Sequence, residues 1–203
     1  MRRATSREDA DVCPARHVPR VAPPALLTLE EFATLPNADA PMELARGEVI
    51  PLSPAHGPAS VAAANVLKLL ILHVEPRRPG RVLGDNAGLA LLGAQHTSRS
   101  PDVAFVRASK PPARMPTAPI RIVPDLVAEV LSPHETAAYL EEKMADYREA
   151  GTAVVWVVDP ERRFVTVHPA DAPSYTLREG GTLTGGRVLP DFSCAVAELF
   201  EGV

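Results

Sequence analysis

The sequence predicts a mixed α/β fold: a mixed β-sheet flanked by helices, with a small C-terminal β extension. Three observations predict it. The runs Leu126-Val127-Ala128-Glu129-Val130-Leu131 and Ala153-Val154-Val155-Trp156-Val157-Val158 are almost continuously apolar, as in strands covered on both faces. Between them, Glu135 to Glu149 reads as a helix stopped by Gly151, which makes a βαβ unit with a parallel pairing. Shorter strand candidates then follow one another to the C-terminus.

Taken in order, residues 1 to 24 are rich in Arg, Pro and Ala without periodicity and read as a flexible tail ahead of a single domain over 25–203. Thr28 and Glu31 stand in capping-box spacing before a short helix. Met42 to Ile50 reads as a hairpin turning at Arg46-Gly47. Pro58 opens a helix through Val61, Val66, Leu67, Leu70 and Ile71 that should end before Pro76. Strands are expected over Val82 to Leu92 and Asp102 to Val106, separated by a polar loop. A proline-rich connection from Lys110 to Pro119 leads into the strand at 125–131. After the βαβ unit, strands are expected over Phe164 to His168, Ser174 to Leu177 and around Val188, and a helical turn over Ala195 to Phe200. Gly180-Gly181 and Gly185-Gly186 read as turns.

With 203 residues, of which 46% are hydrophobic, the chain can build one real core. No apolar run approaches the roughly 20 residues of a membrane helix, and the N-terminus lacks the apolar stretch of a secretory signal. Cys13 and Cys194 form neither a disulfide framework nor a zinc motif, so a cytoplasmic setting is expected. HExxH, GxSxG and phosphate-cradling GKS motifs are absent, which removes support for zinc peptidase, serine hydrolase and P-loop chemistry. Net charge is −4, yet eight basic residues between Arg77 and Arg121 face only Asp85 and Asp102, whereas the rest of the chain to Val203 is acidic. Such a segment suits a phosphate-facing surface or a solvated loop balanced by the acidic remainder.

The chemistry centres on Glu129. An ionised carboxylate inside an apolar strand costs several kcal/mol unless it is paired, hydrogen-bonded or bound to a cation. Ser100-Pro101-Asp102-Val103 places a second carboxylate at the mouth of another strand. Lys143, between Leu140 and Tyr147 on the helical wheel, can be aimed back at the strand carrying Glu129. Two carboxylates and an ammonium suit a metal-dependent phosphodiesterase, because hard oxygens hold Mg²⁺ while phosphate oxygens complete its shell. Asp125 reads as a turn residue after Pro124 and His56 as a surface-loop histidine. Tyr147 and Trp156 read as core residues.

Glu43-Leu44-Ala45-Arg46-Gly47-Glu48, Ser53-Pro54 with His56-Gly57, Ser100 to Val106, Pro124 to Pro133, Lys143 through Tyr147 to Gly151, and Trp156 to Pro160 occur in the order of a known pattern. Over residues 26 to 200 the chain resembles the Uma2 family (DUF820) of restriction endonuclease-like proteins. The resemblance implies a PD-(D/E)XK nuclease core and Mg²⁺-dependent cleavage of nucleic acid, with DNA the expected substrate and Mn²⁺ the expected substitute ion. It implies Asp102 and Glu129 as metal ligands, Lys143 as the catalytic lysine and Glu43 as an accessory acid. Leu131 stands where such nucleases carry a lysine two positions after the glutamate, so Lys143 is its natural substitute. The expected function is therefore a Mg²⁺-dependent endonuclease, with no membrane partner and a homodimer suited to cutting two strands. The alternative is a non-catalytic nucleic-acid-binding or protein-interaction module in which Glu129 and Lys143 form a buried ion pair.

Overall fold

The computed structural model describes residues 26–36, 41–53, 57–84, 87–110, 120–133 and 135–203. The expected tail with Cys13, His56, Asp85 and most of the proline-rich connection lie outside the described residues.

A single helical turn, α1 (Leu29–Phe32), opens with the expected capping box: Glu31 N–H donates to the Thr28 hydroxyl, and Thr28 N–H donates to the Glu31 carboxylate. Strands β1 (Met42–Ala45) and β2 (Glu48–Pro51) form the hairpin. Arg46 and Gly47 both take positive φ (49° and 92°), as a two-residue primed turn demands. Helix α2 (Gly57–Arg77) runs past the expected stop. Pro76 lies in its last turn and forfeits only its own N–H, while Arg78 N–H closes on the Val74 carbonyl at 2.7 Å.

By length and composition α2 passes for a membrane span, with a mean hydropathy of 1.5, against the expectation that no stretch comes near one. Its packing gives the apolarity another use. Ala62, Val66, Leu70 and Val74 are buried in the main core, and Asn65 donates to the carbonyls of Leu199 and Glu201. One face of the helix is thus packed into the main core, while Ile71 and Leu72 remain exposed.

Next come β3 (Gly80–Gly84), β4 (Leu89–Ala90), β5 (Ser98–Arg99), β6 (Val103–Arg107), β7 (Ile120–Arg121) and β8 (Leu126–Val130). The expected strand over 82–92 is thus divided between β3 and β4, and the expected polar loop contains β5. Helix α3 (Ala137–Ala150) is capped by Thr136 and ends at Gly151 with φ 89°, the left-handed position for which glycine carries no Cβ penalty. Strands β9 (Val154–Asp159), β10 (Phe164–Pro169), β11 (Tyr175–Arg178), β12 (Thr182–Gly185) and β13 (Leu189–Ala195) follow, then a 3₁₀ turn over Val196–Phe200.

The main sheet has the order β11-β10-β9-β8-β6-β3 and is mixed: β8 and β9 are parallel across α3, and the other neighbours are antiparallel. A second sheet, β2-β1-β5-β4-β7, and the β12–β13 pair complete the fold. Strand alternation explains the two cores. Leu126, Ala128 and Val130 join the α2 side, with Trp156 and the C-terminal strands, whereas Val127 faces Met144 and Tyr147 of α3. Covered on both faces, β8 and β9 read as continuous apolar runs.

Candidate functional site

Register places the two key carboxylates together. Strand β6 pairs Val103 with Ala128 of β8, so the next position outward sets Asp102 opposite Glu129. Directly opposed residues of an antiparallel pair share a face. By the same alternation that turns Val127 toward α3, Glu129 lies on the α3 side of the sheet.

Helix α3 answers with an i, i+4, i+8 stripe, Tyr139, Lys143 and Tyr147. Lys143 Nζ donates to Glu129 Oε2 at 2.5 Å, and the Tyr147 hydroxyl donates to Glu129 Oε1 at 2.6 Å. Glu129 is 2% exposed and Lys143 5%. Burial, reinforced by Asp102 and Glu43 and opposed by Lys143, raises the Glu129 carboxyl above its ordinary value. Asp102 accepts the Val130 N–H at 2.7 Å, and burial raises it above the ordinary aspartate range.

Glu43, from β1, is fully buried. It accepts the Ser100 N–H at 2.7 Å, Arg99 Nη1 at 2.9 Å and the Tyr139 hydroxyl, with Lys143 Nζ at 3.9 Å. Burial would raise its carboxyl, but Lys143, Tyr139, Ser100 and Arg99 outweigh burial and leave it below its ordinary value. Arg99 has no solvent exposure and bridges three elements: it reaches Glu43 of β1 from β5 and grips Asp146 of α3 through Nε at 2.8 Å and Nη2 at 2.6 Å. Glu142 adds a contact at 2.8 Å.

Above this network lies a cleft of about 350 Å³. Asp102, Glu129, Lys143 and Ser100 line it, with Ile50, Pro51 and Leu52 on one side and Glu135, Thr136 and Tyr139 on another. All four expected site residues therefore meet in one place, although Glu43 sits beneath the cleft rather than in its lining. Asp125 serves its turn, accepting the Arg107 N–H at 2.9 Å and pairing with Lys110 at 3.1 Å. Tyr147 is a core ring, as expected, but its hydroxyl belongs to the site.

The basic segment of the sequence is spread over different surroundings. Arg99 is internal, Arg107 and Lys110 pair with Asp125, and Arg121 pairs with Glu30. Sequence reading missed Arg99, Tyr139, Asp146 and Glu135. The four-residue spacing of Tyr139, Lys143 and Tyr147 was a usable signal. Arg99, inside the polar run Thr97-Ser98-Arg99-Ser100, carried none.

The donor set is hard oxygen. Among the described residues no three His, Cys, Asp or Glu side chains converge as a metal cage. Mg²⁺ needs no such cage, since it is held by one or two carboxylates while water and phosphate oxygens complete its shell. The opposed, desolvated Asp102 and Glu129 fit that requirement.

The model of the Uma2 family, described as "Putative restriction endonuclease", matches residues 29–197. A solved structure, that of a putative nuclease belonging to DUF820 from Anabaena variabilis ATCC 29413, superposes with a TM-score of 0.75. The match covers 87% of this chain and 98% of that one at 21% identity, and it shows a shared fold. No curated protein sequence matches the chain.

Proposed function

The chain belongs to the Uma2 family, and from that premise we propose that it is a Mg²⁺-dependent endonuclease hydrolysing phosphodiester bonds of DNA. The observation that supports this most is the opposition of Asp102 and Glu129 across neighbouring strands in a cleft, with Lys143 against Glu129. Asp102 and Glu129 would hold the ion, with Mn²⁺ as a substitute. When bound, such an ion polarises the phosphoryl group and acidifies water. Lys143 supplies a fixed positive charge and N–H donors for the attacking water or the scissile phosphate. Tyr147 fixes the Glu129 carboxylate, and Glu43, locked by Arg99, Ser100 and Tyr139, keeps a negative charge behind Lys143.

The test is cleavage of supercoiled plasmid and of circular single-stranded DNA with Mg²⁺, by wild type, Glu129→Gln and Asp102→Asn. Metal-dependent cutting of either DNA by wild type alone supports the proposal. No cutting of any form, or equal cutting by Glu129→Gln, rejects it. One observation favours a non-catalytic module instead: both Glu129 oxygens already have donors in Lys143 and Tyr147. Calorimetric titration with Mg²⁺ separates the two, since the module predicts no binding that depends on Asp102.

A further inference from the structure

We infer that the substrate strand enters this cleft unpaired: single-stranded nucleic acid, or a frayed or flapped end, is the substrate class, and intact duplex is not. The inference rests on the nuclease reading and adds to it a constraint of shape and charge.

Depth is the first constraint. A scissile phosphate must touch groups at the cleft floor that solvent barely reaches, with Glu129 2% and Lys143 5% exposed. The cleft, at about 350 Å³, is at the small end of ligand sites, and its walls are Ile50 and Pro51 of strand β2 with Leu52 just after it, and the start of α3 (the cap Thr136 and Tyr139). A duplex is stiff over about 150 base pairs and brings a phosphate down into such a cleft only by costly bending or kinking, whereas a single strand turns at every nucleotide.

Charge is the second. Duplex binders spread about 1,000–2,500 Å² of strongly positive surface over both backbones. Here, among the described residues, Lys143 is the only cation in the lining, and it is buried. Arg99, Arg107, Lys110 and Arg121 are each engaged with carboxylates. Arg77 stands eighteen residues along α2 from the cleft-lining Ala59, about 27 Å away at the helical rise. What the walls offer is apolar and aromatic surface from Ile50, Pro51, Leu52 and Tyr139, which suits unstacked bases rather than a paired backbone.

The experiment compares wild-type cleavage of matched oligonucleotides with Mg²⁺: single-stranded DNA, single-stranded RNA, blunt duplex, and the same duplex with a 5′ flap. Glu129→Gln is the control. The expected result is a kcat/KM for a single strand at least about tenfold above that for blunt duplex, with cuts in the flapped substrate confined to the flap. Whether DNA, RNA or both are cut identifies the sugar, and each supports the inference. Internal cutting of blunt duplex at a comparable rate overturns it and leaves the nuclease reading standing. No cutting of any substrate overturns the nuclease reading, and the inference with it.

Discussion

Replacing Arg99 by methionine tests whether a buried ion network, beyond apolar packing, holds α3 over the sheet. The guanidinium is fully buried and makes its close bonds to two carboxylates that are also fully buried, Asp146 and Glu43. Its third partner, Glu142, is 41% exposed, so that contact is screened and adds little. Methionine would leave Glu43 with the Ser100 N–H, the Tyr139 hydroxyl and Lys143 at 3.9 Å, but Asp146, among the described residues, with only Arg46, 3.3 Å away and largely in solvent. Removing one partner of a buried pair costs about 3–5 kcal/mol, because a desolvated charge is stranded. At about 2–4 °C per kcal/mol for a domain of this size, Tm should fall by about 6–20 °C. Urea unfolding followed by far-UV circular dichroism, with calorimetry for Tm, measures both. Arg99→Lys keeps the charge without the planar fork and should fall between wild type and Arg99→Met. Adding Glu43→Gln and Asp146→Asn to Arg99→Met should recover much of the loss, because the stranded charges disappear. A loss below about 1 kcal/mol for Arg99→Met, the cost of an ordinary substitution, would refute the reasoning.

Three further outcomes are expected. Asp102→Asn should keep or gain stability in chelator-containing buffer, since burial disfavours the carboxylate and an asparagine oxygen still accepts the Val130 N–H; a urea-measured loss above about 1 kcal/mol would contradict this. Tyr147→Phe keeps the buried ring but removes the donor at 2.6 Å from Glu129, and should cost about 1–3 kcal/mol; an unmoved urea midpoint would argue against that hydrogen bond. Burial pushes the Cys194 thiol up to about 12, so iodoacetamide at about pH 8 should label it only after unfolding, and its native labelling in a peptide mass map would show the site to be open.

How much was legible in the sequence depended on whether the signal was local. The βαβ unit was readable because β8 and β9 are covered on both faces and α3 ends at a glycine cap. Glu129 was readable for the same reason: a carboxylate stands out against Leu126, Val127, Ala128 and Val130. Asp102 and Lys143 followed from strand and helix geometry. Arg99 could not be found that way. Its partners lie 56, 43 and 47 residues away, at Glu43, Glu142 and Asp146, and its strand is two residues long inside a polar run. The basic segment left two readings open because charge counted along the chain is blind to pairing in space. Arg107 and Lys110 answer Asp125, and Arg121 answers Glu30, none of which a local count can assign. Pro76 misled because a helix-stop signal was weighed without the turn that closes after it.

The polar groups below the cleft divide into two charge systems joined at Glu43. Arg99 takes Asp146 and one side of Glu43 and ties α3 to the second sheet. Lys143 faces Glu129 at 2.5 Å and Glu43 and Glu135 at 3.9 Å each. Burial would strip its proton, but the three carboxylates outweigh burial and hold Lys143 above its ordinary value. Lys143 is therefore a fixed charge and hydrogen-bond donor, and is poorly suited to act as a general base near neutral pH. Under the proposed hydrolysis, proton removal from the attacking water must then fall to another group, and Lys143 contributes orientation and charge. The same arrangement gives Glu43 its part without contact with the cleft: from beneath the site, its carboxylate helps keep the lysine charged.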